Sequence, residues 1–159
     1  MSFTLSEAET FLLSARNKNF YARVLSALVH VEAPGLGTMA VSISPEGKYI
    51  LLFDPEFVQT LSIQKLTLIL EHEVMHLILG HIPRYLEMRS SLDPADPERR
   101  AMDAVFNIAA DLADNELIRS AYDFDRLHGQ HFYESEKNPH GFLIPEKYNL
   151  AREQPFEVY

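Results

Sequence analysis

The sequence predicts an α+β fold in which helices pack on a small β-sheet around one central helix, and three stretches carry that prediction. Leu66 to His81, LTLILEHEVMHLILGH, is apolar round most of a helical circumference, and a helix of that kind is buried. Just upstream, Met39 to Ser44 alternates large with small or polar residues, and Lys48 to Asp54 reads KYILLFD, the pattern of a two-stranded hairpin. Downstream, Pro97 to Tyr122 sustains a helical period.

A chain of 159 residues buries about 70% of its unfolded surface around one core. Residues 1–159 are therefore read as a single domain, with the hairpin at 38–54, the central helix at 62–81, a second site helix at 97–122 and a tail at 123–159. With 14 basic against 23 acidic residues the net charge is −9, which repels nucleic acid and anionic membrane alike. There is no cysteine, so thiolate sites are excluded and any metal must be held by His, Asp or Glu. The opening MSFTLSEAETF lacks a basic flank and a continuous apolar run, and Glu71, His72, Glu73 and His76 interrupt the longest apolar stretch. Neither a signal peptide nor a membrane span is expected, and a cytoplasmic location follows.

In chain order, Ser6 to Val31 reads as one kinked helix or two, broken near Asn17-Lys18-Asn19, with His30 an ordinary helix-end histidine. Pro34-Gly35-Leu36-Gly37 closes that region. Pro45-Glu46-Gly47-Lys48 supplies the hairpin turn. A strand exposed beside a metal can pair with extended peptide backbone; the alternative is a sheet with a purely structural role. Asp54-Pro55-Glu56 turns the chain, Ser62 is a good N-cap for the central helix, and Gly80 is placed to end it.

Within the central helix, His72-Glu73-Val74-Met75-His76 has the form HExxH. Histidines at i and i+4 share one helix face, so their ring nitrogens can converge on one tetrahedral Zn²⁺. Glu73 follows His72 directly, which turns its carboxylate about 100° away, beside a metal and not onto it. There it can take a proton from water activated by the metal, which is the chemistry of peptide-bond hydrolysis. His81, five residues beyond His76, lies about 140° round an ideal helix and points away unless the backbone breaks at Gly80.

Ser90 to Glu98, SSLDPADPE, reads as a loop, with Asp96 as N-cap and Pro97 as the first residue of the next helix. That helix carries an apolar stripe at Ala101, Val105, Ile108 and Leu112, flanked by Asn107, Asp111 and Asn115 at intervals of four. Such a ridge is commonly a solvated face. Two asparagines bracketing an aspartate also suit a shell that orients it. Because HExxH supplies two ligands and a catalytic zinc takes three, Asp111 is the best third-ligand candidate outside the motif. The tail holds His128, His131 and His140 with little periodicity.

Together the stretches NFYARVLSALVHVEAPGLGTMAVSISPEGKYILLFDPEF, LTLILEHEVMHLILGHIPR, NIAADLADNELI and HGFLIPEKYNL resemble, in order, the metallopeptidase-domain family usually found in front of a von Willebrand A-like domain. The resemblance runs from about Asn19 to Leu150. It implies a zincin-like fold with a central HExxH helix on a small twisted sheet, His72, His76 and Asp111 as metal ligands, and Glu73 as general base. It also implies a von Willebrand A-like region or a chaperone-like ATPase as partner.

The leading expectation is a zinc metalloendopeptidase that acts on a protein or peptide substrate, with Glu73 activating water. Tyr122, His128, His131 and Tyr133 are candidates for stabilising the oxyanion. A non-catalytic, zinc-containing adaptor is the alternative, for which His81 or a tail histidine would supply a fourth ligand. A three-histidine ribonuclease using His72, His76 and His81 ranks last, since the chain is acidic and has Glu at the second motif position.

Overall fold

The structure, a computed structural model, describes residues 4–14, 21–121, 143–152 and 154–159. Among these it contains six α-helices and a three-stranded sheet, a mixed α+β arrangement. The chain divides into two compact units, Met1–Ile82 and Pro83–Tyr159, each described by itself below.

The first unit contains α1 (Leu5–Ser14), α2 (Tyr21–Ala27), β1 (Val29–Glu32), β2 (Met39–Ile43), β3 (Tyr49–Phe53), α3 (Pro55–Thr60) and α4 (Ile63–Ile78). The sheet order is β1-β3-β2, with β1 parallel and β2 antiparallel to β3, so β1 and β2 are its two edges. Val29 to Val31, expected to prolong a helix, is instead the strand β1. Its valines are β-branched and stiff at χ1, which suits a pleated strand better than a helix end, and Val29 to Glu32 pair with Ile50 to Phe53. His30 therefore sits on a strand, where its Nε2 lies 3.0 Å from Glu9 Oε1.

α4 is the core element. Leu66, Leu70 and Val74 are fully buried, and α1, α2 and β2, on which Leu12, Leu25, Met39 and Val41 are buried, pack against it. Its N-terminus is capped by Ser62, whose Oγ accepts from Lys65 N at 3.3 Å. The helix stops at Ile78, and Gly80 follows with φ +70°, the left-handed conformation that lets a chain leave a helix without a Cβ clash. Upstream, Asp54 caps α3 and fastens the loop before β2. Its carboxylate accepts from Gly37 N (2.8 Å), Gly35 N (3.1 Å) and Glu56 N (3.0 Å).

A further helix, α5 (His81–Ser90), begins directly after Gly80; the sequence reading assigned no helix there. In the second unit, α6 (Arg99–Ala121) follows a loop in which Asp93 and Asp96 each accept from the backbone N–H two residues on, at 2.8 Å. Its described residues also include two short 3-10 turns, Pro145–Tyr148 and Phe156–Val158. Within it the Phe106 ring meets those of Tyr85 and Phe156, with centroids 5.3 and 5.1 Å apart. Among the described residues no helix is long and apolar enough to cross a membrane.

Candidate metal centre

The i, i+4 spacing on α4 brings the two motif histidines together as helix geometry requires. His72 Nε2 and His76 Nε2 are 3.1 Å apart, and the rings meet edge to face with centroids 4.6 Å apart. Both side chains are half-buried on a helix whose flanking residues Glu71, Glu73, Val74 and Met75 are buried. Each histidine thus keeps part of its surface exposed while the residues that flank it are withdrawn from solvent.

Glu73 is buried, and its Oε2 accepts a hydrogen bond of 3.0 Å from the backbone N–H of Val41. That N–H is available because of the strand pairing. Ser44 N donates to Lys48 O and Asp54 N to Thr38 O, and the antiparallel alternation then turns the N–H and C=O of Met39, Val41 and Ile43 away from β3, toward the open side of β2. The edge strand therefore anchors the motif glutamate through its backbone, independent of its side chains.

On the other side of the pair, His76 Nδ1 lies 3.0 Å from His81 Nδ1. His81 is buried. The break at Gly80 swings it back to His76, and it meets the ring edge opposite to the one that faces His72. One residue earlier than the motif, Glu71 accepts from the Tyr21 hydroxyl at 2.6 Å, a buried hydrogen bond that ties α2 to α4.

In the second unit, the ridge of Asn107, Asp111 and Asn115 runs from surface to interior: Asn107 is exposed, Asp111 half-buried and Asn115 buried. Asn115 Nδ2 donates to Leu143 O at 2.9 Å. The expected apolar stripe behaves differently, since Leu112 is buried but Ala101, Val105 and Ile108 are exposed. Asp114 has no solvent exposure at all, and Glu116 beside it is buried and paired with Arg152 Nε at 3.2 Å.

A family model described as "Putative metallopeptidase domain" matches residues 2–154. The chain belongs to that family. Comparison with curated proteins and with solved structures returned no match. A metallopeptidase domain implies a bound metal, and the histidine pair of this family member fits one. Two nitrogens held roughly 2.0–2.1 Å from a tetrahedral ion sit about 3.3 Å apart, close to the 3.1 Å between His72 and His76 Nε2.

Of the residues singled out from the sequence, His72, Glu73 and His76 are brought together on α4, and Asp111 lies on α6. Tyr122, His128, His131, Tyr133 and His140 lie outside the described residues. Three features were missed. The Val41 N–H is a backbone group with no signature of its own. Asp114 carried a signal, since it is one helical turn from Asp111 on α6. His81 was expected to point away from the metal unless the backbone broke at Gly80; it does break there, and what went unforeseen is that the break brings His81 to Nδ1 of His76.

Proposed function

We propose that the chain is a zinc-dependent peptidase of zincin-like fold, cytoplasmic, acting on protein or peptide substrates. The observation that carries this reading is the convergence of His72 Nε2 and His76 Nε2 on a helix whose intervening Glu73 is fixed by β2. His72 and His76 hold the ion, and α6 supplies the third ligand. Asp114, a carboxylate with no solvent exposure, is the first candidate for that role. Asp111, half-buried one turn earlier, is the alternative.

A zinc ion held there supplies Lewis acidity to a carbonyl oxygen and to water. Glu73 is the general base: its carboxylate takes the proton of the attacking water and returns it to the leaving amine nitrogen. The Val41 N–H holds Oε2 in place during this exchange, so the carboxylate is not free to swing onto the metal. A structural zinc site needs four protein ligands, and a three-histidine nuclease site needs His81 on the metal side of His76. His81 meets the opposite nitrogen, which favours the peptidase.

Metal content, measured for wild type, His72→Ala, Asp114→Ala and Asp111→Ala, tests the ligand set. Loss is expected for His72→Ala and Asp114→Ala; retention in Asp114→Ala together with loss in Asp111→Ala reassigns the third ligand. Glu73→Gln is expected to keep the metal and lower hydrolysis of fluorescently labelled unfolded casein by at least about 100-fold. A glutamine variant as active as wild type refutes the mechanism.

A further inference from the structure

We propose that His81 is a positioning residue: it accepts a hydrogen bond from Nδ1 of His76, and so holds that imidazole in the tautomer and rotation that present Nε2 to a divalent metal ion. The inference rests on the metal reading above and adds a residue to it.

The geometry is specific. The two Nδ1 atoms are 3.0 Å apart, and the ring planes are inclined by 61° with centroids 5.2 Å apart. This contact depends on the interruption between α4 and α5, since on a continuous helix His81 would stand about 140° round from His76. Gly80, with φ +70°, makes the interruption, and the side chain that follows it is 2% exposed. A histidine buried at a helix junction and aimed at the outer nitrogen of the His76 ring is what the outer partner of a metal-binding histidine requires.

Two placements of the protons satisfy the two short nitrogen contacts of His76. In one, His81 Nδ1–H donates to His76, and His76 Nε2–H points at His72; the lone pair that a metal needs is then covered. In the other, His76 Nδ1–H donates to His81 and Nε2 carries no proton. Only the second binds a metal without moving the His76 proton, and in it His81 carries its own proton on Nε2. His72, by contrast, donates from Nε2 to His76 in the metal-free state and must give up that proton when the ion enters. The two ligands are therefore unequal: His76 is prepared in advance and His72 is not.

Three measurements test this. A long-range ¹H–¹⁵N spectrum of the metal-free wild type is expected to show His76 protonated at Nδ1, and the His81→Ala spectrum a mixture of tautomers. Zn²⁺ affinity, measured by competition with a chromophoric chelator, is expected to fall about 10–100-fold in His81→Ala. It should recover largely in His81→Asn, whose amide oxygen falls near the position of Nδ1. Co²⁺ absorption at saturation is expected to be unchanged in His81→Ala, because no ligand is lost. An alanine variant within about twofold of wild-type affinity overturns the role of His81, and so does a Co²⁺ spectrum altered at saturation, which would make His81 a ligand. Wild type that binds neither ion overturns the metal reading instead. The wild-type tautomer needs neither metal nor variant, and His76 protonated at Nε2 overturns the hydrogen bond even if the alanine protein fails to fold.

Discussion

Asp54 joins three backbone donors from two sides of the chain, and the consequence is electrostatic as well as structural. The Gly37 N–H, more than the other donors, holds its carboxyl below the usual aspartate range against the opposing cost of desolvation. A group whose folded pKa is depressed stabilises the fold above its unfolded pKa, and that contribution is lost as pH falls through the folded value. Wild type is thus expected to exceed Asp54→Asn in melting temperature by a few degrees at neutral pH. The gap should narrow once the pH drops below about 4; thermal melts of both proteins from pH 7 to pH 3 measure it, and a gap independent of pH rules the carboxylate out. The residue identities at the centre were equally open to inspection: His72, Glu73 and His76 announce themselves by type and spacing. The partner of Glu73 does not, because Val41 contributes a backbone N–H that any residue except proline would offer.

Among the elements, α4 was the most legible, since its apolar circumference and Ser62 cap are local properties of the sequence. Its end shows where local reading stopped. Gly80 was recognised as a terminator, yet helix α5 begins one residue later, and only the turn between them carries His81 to the back of His76. Gly80→Ala places a Cβ at φ +70° and is expected to destabilise the protein by about 1 kcal/mol in chemical denaturation. It should also weaken Zn²⁺ binding if His81 positions His76; unchanged stability would mean that the backbone there relaxes freely. Strand β1 was read as helix because its valines continue an apolar period, and pairing with β3, more than 20 residues on, decided otherwise. On α6 the periodicity was right and the facing was wrong: Val105 and Ile108 are exposed whereas Asn115 and Asp114 are buried. Polar side chains that find partners inside can outrank apolar ones for the interior.

For the molecule as a whole, the metal reading has a thermodynamic consequence. An ion that binds only the folded protein contributes RT ln(1 + [L]/Kd), about 2.7 kcal/mol at a hundredfold excess over Kd. Chelation is therefore expected to lower the melting temperature by roughly 5–10 °C for a chain of this size, and Glu73→Gln should show the same drop, as the proposed role of that residue as base and not ligand requires. A melting curve unmoved by complete metal removal argues against the site. The sequence by itself determined the α+β class, the burial of the central helix, the histidine pair and the adjacent glutamate, all of which follow from residue type and a period of 3.6 or 2. Tertiary structure alone decided that β2 anchors Glu73 through Val41, that His81 turns back onto His76, and which face of α6 is buried. Those outcomes depend on backbone donors, on one glycine's positive φ and on contacts between segments far apart in the chain, and none of these leaves a periodic trace in the order of residues.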